Sequence, residues 1–153
     1  MTPSELLIAF VQGWEQCRLE PYLDDAGHWT VGWGHLLPPS DMRGELTQPQ
    51  ADTLLVDDLA ATSRGLSFHV SSDPSQQQWD AMVSLAYNEG VRAIANSTLL
   101  AHVNASEWEE AAYQFPKWCY EHRDGQLVMS AGLAKRRMAE RAIFTDGDYS
   151  GRP

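Results

Sequence analysis

The sequence predicts an α+β chain that is mainly α-helical, with a small N-terminal lobe built on a β-hairpin beside a larger helical lobe. Three observations carry this expectation. Helix formers dominate after residue 47. Apolar residues recur at helical spacing both there and in the opening segment. Between them, Trp29, Val31 and Trp33 alternate with small residues, as in a short strand. The chain has 153 residues, which suits a single domain. At this size roughly 68–70% of the unfolded surface is buried on folding, so a core forms without staples. The expected division is one domain over 1–153, with about 20–64 forming the small lobe and a connecting helix. Residues 1–19 and 65–153 then make the helical lobe.

Each element has a local reason. In "TPSELLIAFVQGWEQCR", Thr2 reads as the N-cap, Pro3 as the first helical residue and Glu5 as the closing member of a capping box. Leu6, Leu7, Phe10, Val11 and Trp14 make one buried stripe, and Pro21 stops helical continuation. "DDAG" is a turn in which Gly27 takes positive φ, and His28 to Gly34 follows as a strand. After the breaker run "LLPPSDMRGE", Thr47 caps a helix with Gln50 in the capping-box position. Its apolar face is Ala51, Leu54, Leu55 and Leu59. "SSDPSQQQWDAMVSLAYNEG" repeats the scheme, with Pro74 near the start and Gly90 as the stop. "NSTLLAHV", "SEWEEAAYQF" and "SAGLAKRRMAERAIF" read as three further helices.

Within this frame the segment from Trp14 to Leu37 carries chemistry. Glu15 lies four residues after Val11 and eight after Leu7, at the border of the apolar stripe and near the helix C-terminus. Desolvation and the adverse end of the helix dipole both favour the protonated carboxyl, which is what a general acid needs. A solvated glutamate at a fraying helix end fits the position equally. Asp24 sits in a polar turn where a carboxylate stays ionised, and on residues alone Asp25 is its rival or a turn cap. Thr30 points away from the Trp29, Val31 and Trp33 face and shares its own face with Gly32 and Gly34. That leaves an open floor for a ligand, unless the threonine serves only strand propensity and the glycines only a bulge. One protonated carboxyl, one carboxylate and a hydroxyl to orient water are the equipment of glycoside hydrolysis.

Composition removes several other classes. The formal net charge is -10, with a pI near 4.7. Nucleic acid and an anionic membrane surface are therefore poor partners. The basic cluster Lys135, Arg136, Arg137 and Arg141 is the exception and could meet an anion locally. No apolar run approaches the ~20 residues of a membrane span, so stable membrane insertion is not expected. "LLIAFV" is short and flanked by acids, unlike a signal peptide. Cys17 and Cys119 are read as free thiols in a reducing compartment rather than a disulfide. His28, His35, His69, His102 and His122 show no metal-ligand spacing, and neither a metal nor a cofactor is expected. Trp14, Trp79, Trp108 and Trp118 read as packing residues, while Trp29 and Trp33 either stack on sugars or brace the hairpin. Asp57–Asp58 and Glu109–Glu110 read as solvated helix faces. Arg136 or Arg137 can pair with Glu140 at helical spacing.

Glu15, Asp24 and Thr30, running into "TVGWGH", reproduce a known signature: glutamate, eight residues, aspartate, five residues, threonine, then a glycine-rich "TxGxGH". The chain resembles the phage-type lysozymes, the muramidase endolysins of glycoside hydrolase family 24. "AMVSLAYNEG", "STLL", "EEAAYQF" with Trp118, and "GLAKRRMAERAIF" are similar to family segments in family order, so nearly the whole length is covered. The resemblance selects Asp24 over Asp25 and implies a two-lobed lysozyme-like fold with a substrate cleft. It implies hydrolysis of the β-1,4 bond between N-acetylmuramic acid and N-acetylglucosamine in peptidoglycan, with inversion. It makes Glu15 the acid, with Asp24 and Thr30 on the water. His35 is implied to be structural, and Arg136 to pair with the acid, with Arg137 close enough to compete. Leu36, Tyr87, Thr98 and Gln114 are implied to contact substrate.

The implied setting is an endolysin that works as a monomer on peptidoglycan glycan strands. It would be held in the host bacterial cytoplasm before release and then act on the periplasmic wall. A holin would release it, or an inhibitor or immunity protein would restrain it. Two features depart from the family pattern. Gln16 stands where glycine usually follows the acid, and the chain is acidic where many relatives are basic. An acidic enzyme on an anionic wall should be slowed by repulsion that salt screens. Its lytic rate is expected to rise from low to moderate ionic strength; a steady fall across that range would refute the idea. Three alternatives stand beside this reading. A lytic transglycosylase would need only Glu15, and a silent lysozyme-like module would bind wall without cleaving it. The same muramidase activity could also be deployed as a secreted antibacterial toxin.

Overall fold

The computed structural model describes residues 1–24, 27–41, 44–123 and 125–153. Among them the chain forms α1 (Glu5–Trp14), then β1 (Arg18–Leu23), β2 (Trp29–Gly32) and β3 (His35–Leu36). The long α2 (Gln48–Ser67) leads to α3 (Gln76–Glu89), α4 (Val91–Ala95), α5 (Thr98–Asn104) and α6 (Trp108–Ala112). A 3₁₀ turn (Phe115–Lys117), the hairpin β4 (Tyr120–Arg123) and β5 (Gln126–Met129), and α7 (Ala131–Asp146) complete it. The expected mainly helical α+β class is what the chain adopts. Asp25, the sequence rival of Asp24, lies outside the described residues.

The capping box on α2 is as the sequence predicts, and α3 carries one of the same kind behind Pro74. The Thr47 amide donates to Gln50 Oε1 at 2.8 Å, and the Ser75 amide to Gln78 Oε1 at 2.8 Å. Gly90 ends α3 with φ 89°. The first helix differs from expectation: its N-cap is Ser4, not Thr2, and Ser4 Oγ accepts from the Leu7 amide. Tertiary structure explains the shift. Ser4 is held by Asp80 of α3, which is fully buried and accepts from Ser4 Oγ at 2.5 Å and from Tyr149 at 2.7 Å. The helix also ends earlier than Pro21 requires. Glu15 already has extended backbone (φ -91°, ψ 148°), and Pro21 lies inside the edge strand β1, where a missing amide is tolerated.

Strands β1, β2 and β3 form one antiparallel sheet in chain order. Tyr22 stands opposite Thr30, and Thr30 opposite Leu36. The single strand expected over His28–Gly34 is instead a hairpin that turns at Trp33 and Gly34, with Gly34 at φ 102°. The helices bury one large apolar cluster around Phe10, Leu59, Met82, Leu85, Phe115 and Phe144. A smaller cluster, Val31, Leu37, Leu46 and Ala51, lies between the sheet and the start of α2. Trp33 packs against both and donates its indole N–H to Asp52 at 2.8 Å. Helix α3 is the centre of the larger cluster: every residue from Trp79 to Ala86 is buried, more than the single stripe its sequence suggested.

Candidate active site

A cleft of about 500 Å³ opens where the end of α1, the β2–β3 turn, α2 and the C-terminal end of α3 meet. Glu15, Trp33, His35, Leu36, Asp58 and Tyr87 are among its lining residues. Glu15 caps α1, its amide donating to the Val11 carbonyl at 2.9 Å, so the carboxyl leaves the helix at its last turn. Its side chain keeps 23% of its surface exposed, enough to meet a ligand.

Arg136 of α7 reaches Glu15 from inside the protein. Its Nη1 donates to Glu15 Oε1 at 2.7 Å, and its Nε donates to Glu140 Oε1 at 3.2 Å. Burial works against the Arg136 cation, but Glu140 and Glu15 outweigh it and hold its pKa above the ordinary arginine value. Arg137 makes a different set of bonds. It donates to the Trp118 carbonyl at 2.9 Å, to Glu140 Oε2 at 2.5 Å, to Glu89 at 2.9 Å and to Asn88. The competition between the two arginines for Glu15 is thus decided in favour of Arg136, while both pair with Glu140.

Tyr87 stands beside the acid with its hydroxyl donating to the Trp33 carbonyl at 2.9 Å. Burial, and then the Glu15 charge, push its pKa up, so it stays a neutral phenol. His35 Nδ1 lies 2.9 Å from Asp58 Oδ2. Asp58 is therefore no member of a solvated face, as the sequence suggested, but the partner of His35 inside the cleft. Its place three residues after Leu55 and four after Leu54 already puts it on the inner side of α2. Glu109 and Glu110 are exposed as expected.

Asp24 and Thr30 are held at the outer end of the sheet, around His28. Asp24 Oδ1 accepts from the His28 amide at 2.8 Å, and the Asp24 amide donates to the His28 carbonyl at 2.9 Å. The Thr30 hydroxyl donates to that same carbonyl at 3.2 Å. Neither lines the cleft cavity, but Thr30 is paired in register with Leu36, which does. The open floor expected around Thr30 is not there. Thr30 is 3% exposed, and Gly32 is buried against Ala51 of α2, which lies 3.4 Å from where a Gly32 Cβ would sit. Only Gly34 is open.

Leu36 and Tyr87 thus meet Glu15 and His35 in the cleft. Thr98 and Gln114 lie outside its lining and bind each other: the Thr98 hydroxyl donates to Gln114 Oε1 at 3.0 Å, and Lys117 Nζ donates to the same oxygen at 2.8 Å. Of the tryptophans, Trp33 lines the cleft, whereas Trp29 is 39% exposed on β2. Trp79 is buried, and Trp14, Trp108 and Trp118 pack against the large cluster. Cys17 and Cys119 are both free thiols. Among the described residues no group of histidine, cysteine and acidic side chains is arranged to hold a metal ion.

Comparison with known proteins places this cleft in context. The family model for phage lysozyme matches residues 12–140. The endolysin of Acyrthosiphon pisum secondary endosymbiont phage 1 is 36% identical over 143 residues, covering 92% of this chain and 96% of that protein. The endolysin of Bacillus phage PZA is 34% identical over 149 residues, which is 96% of this chain and 56% of that protein. Among solved structures, the endolysin from Escherichia coli O157:H7 phage FAHEc1 superposes with a TM-score of 0.88. It is 29% identical and covers 97% of this chain and 96% of its own. With a matching model over most of its length and a relative of equal extent, the chain belongs to the phage lysozyme family.

Proposed function

We propose that the chain hydrolyses the β-1,4 bond between N-acetylmuramic acid and N-acetylglucosamine, with Glu15 as general acid and Asp24 and Thr30 directing the water. Membership of the phage lysozyme family makes the chain an endolysin-type muramidase, a glycoside hydrolase of the bacterial cell wall. The assignment of roles rests on one observation above the others. Glu15 is the carboxyl that stands in the cleft, at a helix end, with a buried guanidinium behind it. In this reading Glu15 gives its proton to the glycosidic oxygen as the C–O bond breaks. Water attacks the anomeric carbon from the opposite face, and its proton passes to Asp24. The Thr30 hydroxyl already donates a hydrogen bond to the His28 carbonyl, which leaves its oxygen lone pairs to accept from that water. Attack opposite the leaving group gives inversion.

The same reading takes Leu36 and Tyr87 as sugar contacts from the cleft wall, and Thr98 with Gln114 as a more distant polar pair. The lobe division at about 20–64 belongs to it as well, with substrate lying between the sheet and the helices. Release through a holin, restraint by an inhibitor or immunity protein, and waiting in the host cytoplasm complete it. No helix among the described residues is long and apolar enough to cross a membrane.

The test is release of reducing ends from purified peptidoglycan by wild type, Glu15→Gln and Asp24→Asn. Loss of roughly 10²–10⁴-fold in both variants is expected if each carries a proton-transfer role. Loss in Glu15→Gln alone, with anhydro-ended products, would instead establish a lytic transglycosylase. A wild type that binds wall and releases no ends at any salt would leave a binding module.

A further inference from the structure

Five ionisable side chains run from the cleft through the interior as one connected cluster: Glu15, Arg136, Glu140, Arg137 and Glu89. Glu140 is its hub and is fully buried. Three donors saturate its two oxygens: Ser84 Oγ at 2.7 Å and Arg136 Nε at 3.2 Å on Oε1, and Arg137 Nη1 at 2.5 Å on Oε2. The helix builds this locally, since Arg136 and Arg137 lie four and three residues before Glu140 on α7. A carboxylate this far from water is retained only if each oxygen is paired, and here each is.

Two facts tie this hub to the acid. Arg136 has two anchors, Glu15 and Glu140; its Nη2 is buried with no hydrogen-bond partner among the described residues. Removing either carboxylate therefore frees the guanidinium on one side. The second fact is charge balance. With every group ionised, three carboxylates face two guanidiniums, an excess of one negative charge. A single proton on Glu15 makes the cluster neutral. A guanidinium bound to Glu15 alone would favour its ionised form, the wrong state for an acid.

We propose that Glu140 is a positioning residue for the reaction at Glu15: it anchors Arg136 from behind and offsets the guanidinium charge that Glu15 meets. This rests on the reading of Glu15 as the general acid. Around Glu15 the other titratable groups are Tyr87 of α3, and His35 of β3 paired with Asp58 of α2; Tyr22 of β1 acts on Tyr87 in turn. None of them touches Arg136 by hydrogen bond among the described residues. Glu89 is the competing site for the proton, because burial raises its pKa against the pull of Arg137.

The experiment is the pH profile of kcat/KM on purified peptidoglycan, with melting temperatures recorded alongside, for wild type, Glu140→Gln, Glu140→Asp, Glu89→Gln and Glu15→Gln. In Glu140→Gln the alkaline limb should move to lower pH by about 0.5–1 unit, since Arg136 then acts on Glu15 without its counter-charge. Glu140→Asp keeps the charge at a longer reach and should fall between this and wild type. If Glu140→Gln does not fold, the partial shift in Glu140→Asp carries the test. Glu89→Gln removes the same charge at a site bound to Arg137 and not to Arg136, so it should move the limb less than Glu140→Gln does; a shift as large or larger assigns the titration to Glu89 and overturns the proposal. A lowered melting temperature with an unmoved limb in both Glu140 variants makes Glu140 merely structural and also overturns it. Full activity in Glu15→Gln would instead remove the acid reading on which the proposal stands.

Discussion

Glu15 and Asp24 lie nine residues apart in sequence, yet the molecule holds them in opposite ways. Asp24 is fixed by its own neighbourhood: its carboxylate and amide both bond His28, four residues on, whose carbonyl also receives Thr30. Glu15 is fixed by Arg136, which is 121 residues away in sequence, and through it by a buried ion network on α7. The first set of bonds lies within residues 24–30. The second exists only when the helical lobe is assembled. Under the proposed roles the difference has a chemical logic. A carboxylate that stays ionised needs nearby donors and water, which a surface turn provides. An acid that must hold a proton needs a neighbourhood whose charge is set deliberately, and fixed charges are kept in place only by burial and pairing.

The comparison can be broken most forcefully at Arg137. This side chain is fully buried and bonded to Trp118, Glu140, Glu89 and Asn88. Arg137→Met keeps an unbranched chain but leaves Glu140 short of a cation and the Trp118 carbonyl without its donor. Breaking a buried pair in this way costs about 3–5 kcal/mol, which for a chain of this size lowers the melting temperature by roughly 10 °C or more. Asp24→Asn should behave in the contrary manner. The amide oxygen can still accept from the His28 amide, so the melting temperature should move by about 2–4 °C at most, while hydrolysis is lost. Thermal melts of the two variants side by side decide the matter. Equal losses would mean that the outer turn is as dependent on tertiary structure as the ion network.

The same contrast explains what could be read from the sequence. The Thr47–Gln50 capping box and the Gly90 stop are local, and the structure contains each at its predicted place. Ser4 as the first cap, the covering of Gly32 by Ala51 and the pairing of Asp58 with His35 depend on segments that meet only after folding. Arg136 and Arg137 are neighbours on one helix, and nothing local says which of them faces Glu15. The hairpin of β4 and β5 escaped notice for another reason. Six of its eight strand residues are exposed, among them Tyr120, Leu127 and Met129, so no alternation of buried and exposed residues marks it. Helix α4 spans five residues, too few for a periodic pattern.

The finest test of the comparison lies at the far end of the network, in Glu89, whose side chain is as exposed as that of Glu15. Its carboxyl is raised above the ordinary value of 4.5, by burial first, with Arg137 pulling in the other direction. A carboxyl raised on folding means that the folded protein holds this proton to higher pH than the unfolded chain does. The favourable contribution is therefore complete below the ordinary value and disappears as pH rises through the raised one. Glu89→Gln carries no charge at any pH and escapes that loss. Relative to wild type, the variant should gain in melting temperature as pH climbs from below about 4.5 into the weakly acidic range, with the gain levelling off above it. Paired melts across that range measure it. A difference that stays flat would mean that Arg137 offsets the burial of Glu89 in full. The network would then end at a balanced pair.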